Sequence, residues 1–167
     1  MKLDDLTKLY VSNLKDMRDA EHQMTEALPK LIEKASGAEL KSALEEHLAI
    51  TESHLETVEE LLEAATGSKR GKKCKGMEGL VEEGKEILES EGDPSVIDAG
   101  LIMAAQKAEH YEMASYGSLQ ALARILGNHE AVETLGEILD EERRADRRLS
   151  EIAESLVNVE AAHAGAG

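Results

Sequence analysis

Lys107-Ala108-Glu109-His110-Tyr111-Glu112 lies in the middle of a long segment with helical apolar periodicity. At steps of three and four, one stripe of that segment runs Leu101/Ile102, Ala105, Glu109, Glu112, Tyr116, Leu119, Ala123 and Leu126, and these positions share one helix face. Two carboxylates therefore occupy slots that an inward stripe gives to apolar residues. A core-facing carboxylate is costly unless it is paired, protonated or bound to a metal. A second one, a turn away, adds like-charge repulsion.

Three more segments show the same pattern. Residues 3–34 read as a first helix with the stripe Leu3, Leu6, Tyr10, Leu14, Met17, Glu21, Met24, Leu28 and Leu31, in which Glu21 is the one acid. Pro29 is expected to kink this helix or loosen its last turn, and Ser36-Gly37 reads as its stop. Residues 38–66 read as a second helix with the stripe Leu40, Leu44, His47, Thr51, His54, Val58 and Leu61, while Glu45, Glu52, Glu56, Glu59 and Glu63 form a solvated opposite face. A basic glycine-rich linker, 67–76, and a short helix at about 77–90 follow. Asp93 as N-cap and Pro94 at the first helical position open the third long helix, which stops at Gly127-Asn128. The fourth, about 129 to 157, carries the stripe Val132, Leu135, Leu139, Glu142, Asp146, Leu149, Ala153 and Leu156.

Short links join the first helix to the second and the third to the fourth, so each pair is an antiparallel hairpin. The connection across 67–93 is long enough to return along the bundle, which makes the second and third helices parallel. The expected fold is therefore all-α: a ferritin-like four-helix bundle with one short extra helix, a single domain over 1–160 and a flexible tail over 161–167.

Composition agrees. Among 167 residues there is no Phe or Trp and only two Pro, so the core is built of Leu, Ile, Val, Ala and Met. The net charge of −16, from 35 acidic against 19 basic residues, argues against nucleic acid as partner and disfavours an anionic membrane surface. No apolar run is long enough to span a bilayer, the first residues lack an apolar signal region, and a single cysteine, Cys74, forbids an internal disulfide. These features point to a cytoplasmic protein. Cys74 sits in a basic stretch that could lower its pKa, although an incidental loop thiol is the simpler reading.

The inward polar groups are Glu21; His47, Thr51 and His54; Glu109 and Glu112; and Glu142 and Asp146, each near the middle of its helix. Taken singly they have ordinary explanations: a Glu reaching water at a helix crossing, a hydrogen-bonded core histidine, an acid paired with Arg143, Arg144, Arg147 or Arg148. Those arginines, however, lie mainly off the stripe. Coincidence at one level of four helices favours a metal site. Two iron or manganese ions would neutralise the acids, whereas zinc more often takes cysteines or several histidines. The pairs Glu21-His22 and Glu109-His110 form an internal repeat in which the histidines lie off the stripe, beside the site or at the surface. Tyr116 reads as a packed core tyrosine or an electron relay.

Several motifs together resemble the YciE/YciF family of stress-associated proteins in the ferritin-like superfamily. They are Asp19-Ala20-Glu21, the segment from His47 to His54, Cys74-Lys75-Gly76-Met77-Glu78-Gly79-Leu80, the run from Gln106 to Gly117, and Leu139-Asp140-Glu141-Glu142 with Asp146. The resemblance covers roughly residues 5–155. It implies a buried di-iron-type site, a homodimer, and a ferroxidase or peroxide-handling role in stress. The superfamily uses one Glu from each of two helices and Glu-x-x-His from each of the others. Glu21 and Glu109 match the single glutamates, while Glu142 with Asp146 departs from the paired motif, and Ile50 stands where the family often has Glu before Thr51. His47 or Glu112 would then substitute, and one metal position is expected to be weaker, or a single ion to bind.

The leading expectation is Fe(II) oxidation by dioxygen or peroxide, with metal held by Glu21, His54, Glu109, Glu142 and Asp146, and by Glu112 and His47 as further ligands. The alternatives are manganese catalase-like removal of peroxide, iron sequestration without turnover, and a metal-free structural stress protein. Apolar residues flanking the stripes, Leu9, Ile32, Ile50 and Leu55, favour a homodimer.

Overall fold

The computed structural model describes residues 4–164, and within them every element is helical. Helix α1 spans Leu6–Lys34, α2 Ala38–Thr66, α3 Lys75–Glu89, α4 Pro94–Ile125 and α5 His129–Ile152; a π-helical turn, Ala153–Val157, leads into α6, Asn158–Ala161. Leu3, the first residue of the expected stripe, lies outside the described residues. Asp5 caps α1 by accepting from the Lys8 amide at 2.8 Å. The helix continues through Pro29 to Lys34. Asp93 caps α4 with Pro94 in its first turn, as the sequence predicts. Gly67 and Gly127 take φ of 73° and 74°, the left-handed conformation that ends a helix at little cost for glycine.

Packing of α1 on α2, α4 on α5, α1 on α4 and α2 on α5 closes a four-helix square, and α3 leans on α1 and α4. Asp98, near the start of α4, shows the relative direction of α2 and α4. Its carboxylate accepts from the Ser36 and Gly37 amides at 2.9 and 2.8 Å and from the Ser36 hydroxyl at 2.8 Å. The N-terminal ends of α2 and α4 are thus side by side, and the two helices run parallel. Asp98 is buried and continues the α4 stripe one turn before Leu101/Ile102, an acid in an apolar slot that is satisfied by the start of another helix. Asp98→Ala strands two amides of a helix start. It is expected to cost about 2 kcal/mol of unfolding free energy, read from urea titration.

The crossover is docked rather than solvated at its far end. The Lys72 amide donates to Lys15 O at 3.0 Å, the Cys74 amide donates to Asp19 at 2.7 Å, and Gln23 donates to Cys74 O at 3.0 Å. Cys74 is fully buried and caps α3. Burial, more than any other influence, pushes its thiol pKa up, which reverses the expectation drawn from its basic neighbours. Gly76 fits because the Tyr111 ring lies where a side chain would start: a Cβ there would meet Cε2 at 2.6 Å.

The inward stripe drifts by one residue at its ends. Leu62 is buried more deeply than Leu61, and Ala131 more deeply than Val132, as a 3.6-residue turn precesses against a fixed seam. At the C-terminus the wide π turn buries Val157 and leaves Leu156 at the rim. No helix among the described residues is long and apolar enough to cross a membrane.

Candidate metal centre

The bundle brings six of the seven candidate ligands to one level: Glu21 from α1, His47 and His54 from α2, Glu109 and Glu112 from α4, and Glu142 from α5. All are buried, Glu21, Glu109 and Glu142 completely so. Ala20 and Ala108, which precede the repeated glutamates, are also buried, so the internal repeat holds in three dimensions.

The six side chains fall into two overlapping groups. Ligand atoms of His47, Glu109, Glu112 and Glu142 lie within 4.8 Å of one another, and so do those of Glu21, His54 and Glu142. Glu142 belongs to both. His47 Nε2 approaches Glu109 Oε1 to 2.8 Å, and His54 Nδ1 approaches Glu142 Oε1 to 2.8 Å. Yet the ring nitrogens His47 Nδ1, His47 Nε2 and His54 Nδ1 make no directed hydrogen bond, and neither do six carboxylate oxygens on Glu21, Glu109, Glu112 and Glu142. A native domain leaves only a few buried polar atoms unsatisfied. Setting aside His47 Nδ1, which lies on the far edge of a ring whose Nε2 faces Glu109, eight such atoms on six side chains facing one another is the pattern of donors that converge on a cation.

Charge makes the same point. Four carboxylates in a dry core balance two divalent cations, with the imidazoles neutral. With protein groups alone, the acids must keep protons. Burial foremost, then the Glu142 charge, pushes Glu21 up to about 7. Burial likewise holds Glu109 and Glu112 well above the usual carboxylate range. Glu142 goes the other way: burial raises it, but contact with Glu109 and His54 outweighs this and leaves it below its ordinary value. Burial lowers His47, the effect that dominates there. Burial would lower His54 too, but Glu142, Glu21 and Glu141 raise it to about 9.

Two residues around the ligands orient them. Glu141 sits 2.7 Å from His54 Nε2 and holds that proton, which turns Nδ1 toward Glu142. Tyr116, completely buried, donates a short hydrogen bond to Glu21 Oε1 and leaves Oε2 without a partner. Tyr116 is on the expected stripe. Glu141 is off it and escapes periodicity; it is marked only as part of the Leu139-Asp140-Glu141-Glu142 motif.

Asp146 is not brought into the cluster. It is partly exposed, and its carboxylate accepts from Gln106 Nε2 at 3.0 Å and lies 3.3 Å from His110 Nε2. One turn beyond Glu142, Asp146 is directed to α4 and meets Gln106 across that hairpin instead of the centre. His110 is exposed and reaches Asp146 at this rim. Arg143, Arg144, Arg147 and Arg148 are all exposed, and among the described residues none forms an ion pair with Glu142.

A family model described as a domain of unknown function, DUF892, matches residues 5–162. The chain belongs to that family. This DUF892 protein is 40% identical over 162 residues to Protein YciF of Escherichia coli K12, which covers 96% of this chain and 98% of YciF. The crystal structure of the E. coli stress protein YciF matches with a TM-score of 0.88 over 93% of this chain and 98% of that one. YcfI of Rhodopseudomonas palustris, for which a structural role has been suggested, matches with a TM-score of 0.86 at 34% identity, over 89% of this chain and 95% of that one. The YciE/YciF resemblance carried by the helix motifs is therefore borne out, and with it the helical bundle. Within that bundle the candidate ligands differ from a Glu-x-x-His arrangement: α4 carries Glu109-x-x-Glu112, and both histidines lie on α2, seven residues apart.

Proposed function

We propose that this DUF892 protein is a ferritin-like metalloprotein that holds two transition-metal ions in the bundle core and oxidises Fe(II) with dioxygen or peroxide in stress protection. The unpartnered buried atoms that Glu21, His47, His54, Glu109, Glu112 and Glu142 turn toward one another carry this reading. Carboxylate with imidazole suits iron and manganese better than zinc. In the balance, two Fe(II) ions as substrate give one electron each, and dioxygen takes up both electrons and two protons to leave as hydrogen peroxide.

The chain's own part is to bind, orient and exclude water. Glu142 lies between both ligand groups. His47, Glu109 and Glu112 form one side, and Glu21 and His54 the other. Tyr116 fixes the Glu21 carboxylate, and Glu141 keeps the Nε2 proton of His54 so that Nδ1 stays directed inward. Loading requires Glu109 and Glu112 to give up the protons that burial favours. A homodimer joined through α1 and α2 belongs to the proposal and is checked by light scattering. Leu9, Ile32 and Leu55 are half-buried on those helices, whereas Ile50 faces a groove between α2 and α5.

The test is Glu109→Gln. Glu109 keeps its proton more readily than an ordinary acid, so the amide resembles its neutral form, and metal-free stability near pH 7 should change by less than about 0.5 kcal/mol. Bound iron should fall, and dioxygen uptake after anaerobic Fe(II) loading should drop to the protein-free rate. Iron content and oxidation equal to wild type would overturn the reading. A purely structural role, as suggested for YcfI, predicts no protein-dependent oxidation at all. Evolution of dioxygen from peroxide by manganese-loaded protein would mark the catalase-like alternative.

A further inference from the structure

A groove of about 250 Å³ opens between α2 and α5 on the flank of the buried cluster. Its floor is Leu44, Leu149 and the edge of His47, all buried, and its walls are Ala43, Ile50 and Ala145. Its rim carries Arg144 and Arg148, one turn apart on α5, with Glu141, held by His54, three residues before Arg144 and Glu46 opposite on α2.

Three observations indicate that a ligand belongs there. Arg144 has no carboxylate within ion-pair distance among the described residues, although acidic residues outnumber basic ones 35 to 19. Arg148 has only a distant exposed contact with Glu151, at 4.0 Å. His47, 5% exposed, lines the groove while its Nε2 faces Glu109, so the groove reaches the edge of the buried cluster. By contrast His54, the other buried histidine, has Glu141 on its outer nitrogen.

We propose that this groove binds a short-chain monocarboxylate, its hydrocarbon tail against Leu44 and Leu149 and its carboxylate between Arg144 and Arg148. The chemistry follows from the lining. An apolar floor takes a hydrocarbon, and planar guanidinium groups at the rim take a carboxylate. The volume is below the roughly 300–1,000 Å³ of drug-sized sites, so the tail is short. Glu46 opposite the arginines repels a second carboxylate, which selects monocarboxylates over dicarboxylates. Seated there, the ligand covers His47 and seals this flank of the cluster from water. The site uses protein groups alone and stands whether or not the core holds metal.

The test is calorimetric titration of the full chain with hexanoate, as purified and after chelator treatment, alongside adipate, hexan-1-ol and inorganic phosphate. The expected result is saturable binding of one hexanoate per chain in both preparations, with a shift of the His47 ring resonance and at least tenfold weaker binding of the other three probes. The Arg144→Gln/Arg148→Gln double variant, whose positions are exposed and outside the bundle core, should weaken hexanoate binding by at least about tenfold with the helical signal unchanged. Ala145→Leu, which fills the groove, should abolish it. No saturable binding overturns the proposal, as does binding that is equal in both variants or that leaves the His47 resonance unmoved. A second copy covering the groove would show as dimerisation that hexanoate cannot reverse and the double variant abolishes, which also overturns it.

Discussion

Glu142→Gln is expected to remove metal from both positions at once and to destabilise the metal-free protein by about 3 kcal/mol. Glu142 is the one side chain common to the two ligand groups, so its loss cannot be confined to one ion. It is also the acid whose pKa lies below its ordinary value, and it sits 2.8 Å from His54 Nδ1. Neutralising it leaves the buried His54 imidazolium with only the partly exposed Glu141 beside it and no buried counter-charge at Nδ1, and breaking a buried pair in this way is costly. Glu109→Gln, in contrast, resembles a proton already held and leaves the fold near wild-type stability. Metal content by elemental analysis and urea midpoints of both variants, measured with chelator present, give the comparison. Equal midpoints for the two variants would contradict the assignment of charge within the cluster.

The second large effect is on pH dependence. The folded pKa of His54, about 9, lies above its unfolded value near 6.5. A raised pKa contributes stability that is full below the unfolded value and is lost as pH climbs through the folded one. His54 alone then accounts for on the order of 3 kcal/mol, lost between pH 6.5 and 9 in metal-free protein. Glu21, raised to about 7, loses its share over a lower window, from about 4.5 to 7, and Glu109 and Glu112 act in the same direction. The lowered groups, His47 and Glu142, contribute stability at high pH and lose it only as pH falls through their folded values. They oppose Glu21 in acid but are flat above 6.5, so pH 6.5 to 9 is the clean window. Metal bound to deprotonated ligands gains affinity over the same range. Melting curves should therefore diverge as pH rises, metal-free protein weakening and metal-loaded protein holding. At pH 8 and a free-metal excess of about 100 Kd, the gap should reach roughly 3 kcal/mol from binding alone. Parallel curves for the two forms would refute it.

The fold was legible because four stripes keep helical spacing over many turns and because Asp93-Pro94, Gly67 and Gly127-Asn128 punctuate the chain with ordinary capping chemistry. The candidate centre was legible because Glu21, His47, His54, Glu109, Glu112 and Glu142 break those stripes at matching depths. Residues that act across helices were not legible in this way. Asp98 caps the start of α2 from α4, a role that its place at the head of the α4 stripe does not reveal, and Glu141 reaches His54 from α5 without breaking a pattern in its own helix. Asp146 misled for the opposite reason. It occupies a stripe position, yet the stripe there faces Gln106 rather than the centre. Cys74 is neither an incidental loop thiol nor one governed by Lys73 and Lys75, because linear proximity says nothing of the pocket formed with Asp16 and Tyr111, where burial governs the thiol.

The central claim is that buried acids and imidazoles are arranged around two cations. Its most direct measurement is anaerobic Fe(II) titration of chelator-stripped full-length protein, followed by calorimetry. Saturation at two ions per chain, with release of protons on binding and loss of both ions in Glu142→Gln, is the predicted result. No saturable Fe(II) binding, or binding that Glu142→Gln leaves intact, would contradict it.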